Sequence, residues 1–154
     1  MPEVSIVDGS AGDTVLAGPI RIRILENGGS AAGRLAVVEL TIAPNTNGPP
    51  QHRHAAHDEG FYVVSGTARF TVGAATYDAT PGTFVMVPPG APHTFANPGE
   101  VPAVVLNTLT PGLYVQYFRD LHDLTSPDGS ISPSALTAAM AGYDTEPLNH
   151  QTLP

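Results

Sequence analysis

Apolar and polar positions alternate in short runs along most of the chain. Ile20, Ile22 and Ile24 alternate with Arg21 and Arg23 and stop at Glu26-Asn27-Gly28-Gly29, the period of two that a half-buried strand requires. Val38, Leu40 and Ile42 alternate with Glu39 and Thr41 ahead of a turn-rich run from Pro44 to Pro50. Residues 61–64 and 67–72 predict two strands joined tightly at Ser65-Gly66. Three more are predicted at 83–87, 92–97 and 103–109, set apart by Pro88-Pro89-Gly90 and Asn97-Pro98-Gly99. Turn signals at intervals of about 8–12 residues are the pattern of a sandwich or a small barrel. After Pro111-Gly112 the period changes: Tyr114, Tyr117, Phe118, Leu121 and Leu124 recur at three and four, predicting an amphipathic helix over 113–124. Ser132 is placed to cap a last helix with Pro133 in its first turn, Leu136, Ala139 and Met140 facing inward and Gly142 ending it. From Tyr143 onward the chain reads as a polar tail.

Composition supports this layout and narrows the chemistry. The 154 residues, 42% of them hydrophobic and 13% charged, suit one domain with a buried core, and Gly and Pro at 16 each favour many turns. No internal repeat suggests a two-lobed duplication. All six bases are Arg, against 14 acids, for a net charge of −8. That balance argues against nucleic acid, whose binding rests on neutralised phosphates, and against anionic membranes. A chain without Lys has no Schiff-base or P-loop lysine; one without Cys has no thiolate nucleophile, disulfide or sulfur-ligated metal. No signal-peptide pattern opens the sequence and no run suits a membrane helix, so a soluble cytoplasmic protein is expected. Six His, the carboxylates and the hydroxyls are left to carry chemistry.

Four of the six His lie between residues 52 and 93. On an extended strand His52 and His54 share a face while Arg53 points away. A turn over 55–58 would bring Glu59 back beside them, on the face of Phe61 and Val63. His93 follows Pro88-Pro89-Gly90-Ala91-Pro92 with the parity of Phe95 and Asn97. Three imidazoles and one carboxylate suit Fe, Mn, Co, Ni, Cu or Zn. A short histidine cluster also fits a solvated loop, and a single His such as His93 fits a core or surface position.

The surrounding pattern adds to this. Gly48, His52-x-His54, Glu59 and Gly66, then Gly82, Pro88-x-Gly90, His93 and Asn97 resemble the two motifs of the cupin superfamily from the first His onward. Only the opening glycine departs: three residues separate Gly48 from His52, where a longer spacer is usual. The 15 residues between Gly66 and Gly82 match the short inter-motif segment of small bacterial cupins. The resemblance implies an all-β double-stranded β-helix, a jelly-roll barrel, with a short C-terminal helical extension. Its core would run over about 20–110, the extension over 113–142 and the tail over 143–154. It also implies one divalent transition metal held by His52, His54, Glu59 and His93. His57 is expected to be a turn residue facing solvent; roles behind a ligand, as an acid or base at the mouth, or as a substitute ligand stay open. Asp58 reads as a turn acid, and His122 and His150 as exposed and inert.

Phe61, Val63, Phe84, Met86, Phe95 and Leu106 are expected in the core, and His57, Phe61, Val63, Met86 and Phe95 are pocket candidates. The run from His52 to Gly66 and the segment Pro111–Leu121 look most like quercetin dioxygenase-like cupins. That likeness implies a metal-dependent dioxygenase with Glu59 as ligand and possible base. Isomerase or cyclase chemistry at the same site is an alternative, as is a non-catalytic cupin that binds a small molecule or a metal. With no basic clamp beside the ligands, a neutral or aromatic oxygenated small molecule is the expected substrate. A homodimer is expected by family analogy.

Overall fold

The computed structural model describes residues 3–148. His150 and the rest of 149–154 lie outside the described residues. The strands are β1 (Thr14–Ala17), β2 (Ile20–Glu26), β3 (Ala36–Ile42), β4 (Thr46–Asn47), β5 (His52–His54), β6 (Asp58–Ser65), β7 (Ala68–Val72), β8 (Ala75–Ala79), β9 (Phe84–Val87), β10 (Thr94–Asn97) and β11 (Ala103–Thr110). A 3-10 turn (Gly112–Tyr114), α1 (Val115–Leu124), α2 (Pro133–Ala141) and β12 (Thr145–Pro147) follow. Among the described residues no helix is long and apolar enough to cross a membrane.

The strands form a six-stranded sheet in the order β1-β2-β3-β11-β6-β9, a four-stranded sheet β4-β10-β7-β8 and a β5-β12 pair. The chain passes repeatedly from one sheet to the other, which is jelly-roll topology. All the pairings are antiparallel. Ile20, Ile22 and Ile24 of β2, Val38, Leu40 and Ile42 of β3, and Phe61 and Val63 of β6 are buried as their alternation requires. Phe61 meets Phe70 and Phe95, centroids 5.1 and 5.6 Å away, across the barrel, within the range of favourable aromatic pairing.

Several expectations are corrected. Phe84 and Met86 lie on the outer face, 59% and 53% exposed, because β9 pairs Val87 with Glu59 and Met86 with Gly60, turning the odd-numbered residues inward. Met86 is therefore neither core nor pocket. Leu106 is half-buried on the outer side of β11, where Val105, Asn107 and Leu109 face in. β1 extends the large sheet ahead of residue 20, and β8 is an edge strand whose solvated residues carry no alternation. Ser132 precedes α2 as expected, but its hydroxyl meets Ser134 Oγ at 3.0 Å and makes no cap bond. The expected tail contains β12, which pairs with the histidine strand β5. His122, exposed as expected, is engaged: its Nδ1 lies 3.0 Å from the Leu16 amide, joining α1 to β1.

The opening glycine has a steric role. A Cβ on Gly48 would sit 1.8 Å from the Phe95 carbonyl oxygen, so no side chain fits where β4 leaves β10. Asn97 fixes the other end of that region, donating to the carbonyls of Ile42 and Val101 at 3.0 and 2.8 Å and accepting the Gly99 amide at 2.9 Å. Gly48→Ala is expected to cost about 3 kcal/mol of stability, read from the urea midpoint. An unchanged midpoint would mean that the two segments part freely.

Candidate metal centre

His52 and His54 stand on β5 with their side chains buried, while Arg53 between them is exposed and pairs with Glu146 across β12. His93 is tied to His52 by a two-residue bridge in which each amide donates to the other's carbonyl at 2.9 Å. The Gly90 amide donates to the His54 carbonyl at 2.7 Å. The segment before β10 and the strand β5 are thus locked in register. Glu59 enters from β6, whose other inward residues, Phe61 and Val63, keep it on the inner face.

The ring hydrogen bonds fix the tautomers. His52 Nδ1–H donates to the Pro50 carbonyl at 2.8 Å and His93 Nδ1–H to the Ala91 carbonyl at 3.1 Å. The Thr145 hydroxyl donates to the Tyr143 carbonyl at 3.0 Å, so at 2.8 Å it accepts from His54 Nδ1–H, and at 3.1 Å from the Tyr114 hydroxyl. All three Nε2 atoms are left for the site. Two of them, in His54 and His93, lie 3.0 and 3.1 Å from Glu59 Oε2. Lone pairs facing a carboxylate at that range repel unless a proton or a cation lies between. One divalent cation would satisfy the imidazoles and the carboxylate together, so the donor set fits a metal. Asn107 holds the other carboxylate oxygen, donating from Nδ2 to Glu59 Oε1 at 3.1 Å and to the Gly60 carbonyl at 3.0 Å.

Titration follows from this crowding. Burial, then the neighbouring His93 and His54, pushes His52 down to about 3. Burial, then His54, pushes His57 down to about 4. Burial works to raise the Glu59 pKa, but wherever Nε2 of His54 or His93 takes up a proton and donates it to Oε2, that bond outweighs burial and holds the carboxyl well below the usual range. Burial lifts the Tyr114 phenol, which therefore stays neutral.

The site opens on a cavity of about 260 Å³. His52, His54, Glu59, Asn107 and Phe95 form one wall, Ile20, Ile22 and Leu40 another, and Tyr114, Tyr117 and Phe118 of the helical extension a third. Glu59 is the one carboxylate on this lining, and no Arg is on it. Of the pocket candidates, Phe95 lines the cavity, whereas Phe61 and Val63 lie fully buried outside its lining. His57 is buried instead of facing solvent, because Tyr114 covers it with ring centroids 4.3 Å apart.

A model of the cupin domain matches residues 38–109, a stretch that contains all four candidate ligands. The match covers 72 of the 154 residues and supports a small cupin-superfamily protein. This cupin is 27% identical over 118 residues to quercetin 2,3-dioxygenase of Bacillus subtilis (strain 168). That match covers 77% of the chain but spans only 34% of the relative's length. The solved structure of KdgF from Halomonas sp. superposes with a TM-score of 0.62 at 20% identity, covering 71% of this chain and 94% of its own. An RmlC-like cupin from Shewanella frigidimarina gives 0.59 at 22%, covering 72% and 95%. At these identities the two structures speak to the fold alone.

Sequence reasoning missed three supporting residues. Asn107 left a signal, a polar side chain at an inward position of an apolar strand. Thr145 and Tyr114 left none, since Thr145 reaches His54 from 91 residues away in sequence and Tyr114 reaches Thr145 from 31. Thr145→Val removes the acceptor for His54 Nδ1–H. It is expected to weaken Zn(II) or Co(II) binding about 10- to 100-fold by isothermal titration, with Thr145→Ser near wild type. Equal affinities for the Val and Ser variants would exclude this role.

Proposed function

We propose that this cupin is a metal-dependent oxidoreductase, a quercetinase-like dioxygenase acting on a neutral oxygenated aromatic or enol. The observation that carries the reading is a largely apolar cavity onto which His52, His54 and Glu59 open and which, among the described residues, no Arg lines. His52, His54, His93 and Glu59 would hold one divalent transition metal: Fe, Mn, Ni, Co, Cu or Zn. Such an ion, when bound, polarises a chelating substrate oxygen or dioxygen.

The chain's own groups do the rest. Apolar walls from Ile20, Ile22, Leu40 and Phe95 exclude water and favour a flat, uncharged ring system. Its Oε2, set between the Nε2 atoms of His54 and His93, makes ligation the first role of Glu59. Accepting a hydroxyl proton at Oε2 is its second, with Oε1 kept in place by Asn107. Neutral Tyr117 brings a phenol group to the same cavity, suited to orienting a carbonyl or hydroxyl, while the Tyr114 hydroxyl is held by Thr145.

The test is oxygen uptake by metal-reconstituted protein with a panel of flavonols and catechols. Uptake is expected with at least one metal and lost on Glu59→Ala. No uptake with any metal that binds would reject the dioxygenase in favour of isomerase or cyclase chemistry. A protein that binds no metal would reject both in favour of a non-catalytic small-molecule binder.

The same reading includes a homodimer. Tyr62, Val64, Phe84 and Met86 expose apolar side chains side by side on β6 and the edge strand β9, with Tyr62 opposite Phe84. No residue in 60–64, 84–87 or 103–109 is charged. An uncharged apolar patch beside a sheet edge suits a two-fold interface with a second copy. Sedimentation is expected to give a dimer that Phe84→Glu converts to monomer; a wild-type monomer at micromolar concentration would refute it.

A further inference from the structure

His57 is the buried imidazole that the four-ligand set leaves unused. It sits in the short turn between β5 and β6, only 6% exposed, and its Nε2 has no hydrogen-bond partner. Its ring lies 4.1 Å from that of His54 and 4.3 Å from that of Tyr114, tilted by 37° and 43°. The Tyr114 hydroxyl is engaged by Thr145 at 3.1 Å. A buried nitrogen left without a partner costs about 1–3 kcal/mol, so this position is unfavourable unless something binds there.

What could bind is set by the neighbours. The ligand atoms of His54, His57 and Glu59 lie within 4.8 Å of one another, as do those of His52, His54 and His93. Every one of these side chains is buried. The two triads share His54. We propose that His57 is a metal ligand, and that His54 and Glu59 would serve an ion with either set of partners, His52 and His93 or the neighbouring His57. With His57 at hand, the protein would keep hold of an ion even where a chelating substrate displaced His52 and His93. This inference rests on the metal-centre reading above.

The experiment titrates metal-free protein with Co(II), following affinity and the visible absorption, which reports the ligand set. Wild type, His57→Ala, His52→Ala and the double variant are compared, with circular dichroism confirming folding of each metal-free form. His57→Ala is expected to alter the Co(II) spectrum. Added to His52→Ala, it is expected to lower affinity about tenfold or more beyond the single variant. If His57→Ala changes neither spectrum nor affinity in either background, the proposal is overturned and the four-ligand reading stands. If wild type takes up no Co(II), both fall. His57→Gln and His93→Gln serve in place of any alanine variant that does not fold, and the same two outcomes apply.

Discussion

Burying three imidazoles and a carboxylate inside an apolar barrel is the constraint on which the rest of the structure turns. An unpaired buried charge costs several kcal/mol, and each unsatisfied ring nitrogen adds its own penalty. The fold meets this cost on the outer side of every ring. Pro50, Ala91 and Thr145 each take one Nδ1–H, and Asn107 takes one carboxylate oxygen. On the inner side the Nε2 atoms and Glu59 Oε2 are pressed together at distances that only a proton or a cation relieves. The outward bonds orient the rings and the inward crowding makes affinity for a cation, so stability and chemistry arise from one arrangement.

That arrangement explains how far the sequence could be read. Two histidines two apart on a strand must share a face, and the backbone bridge between His52 and His93 joins the two motif segments that carry them; parity allowed the four side chains to meet, and only the resemblance to the two motifs singled them out as a ligand set. Parity failed at Phe84 and Met86, where Phe84-Val85-Met86-Val87 is apolar throughout and no polar residue marks the outer face. It failed at His57 for a different reason. A turn residue between Ala56 and Asp58 reads as solvated, and the ring that buries it belongs to Tyr114, from a segment whose placement over the barrel mouth no local pattern encodes. β12 was illegible likewise, because a three-residue strand is defined by its partner more than by its own composition.

Charge placement divides the molecule as clearly as burial does. Arg23, Arg53, Arg69 and Arg119 pair with Glu39, Glu146, Asp78 and Asp13 at the surface. The first three of these pairs lie in register across neighbouring strands. Exposed pairs of this kind contribute little, about 0–1 kcal/mol each, so their effect is chiefly on strand register and solubility. Spending the bases on the outside leaves Glu59 as the only charged side chain on the described cavity lining. Any counter-charge for an anionic guest would have to come from a bound cation, since the described lining carries no basic Arg side chain.

The helical extension is more than a cover. Tyr114 begins it, lines the cavity, packs on both His54 and His57, and donates to Thr145, which in turn accepts from His54. Further along, Tyr143 donates to Asp120 of α1, and the strand that follows Tyr143 pairs with β5. The tyrosine beside the candidate metal centre and the strand that carries two of its ligands are therefore one hydrogen-bonded unit. A guest large enough to displace Tyr114 also disturbs the acceptor that holds His54 in its tautomer, and an ion that draws on His54 tightens the same chain. Cavity size and ligand geometry are set together, and neither can be altered at Tyr114 or Thr145 without the other.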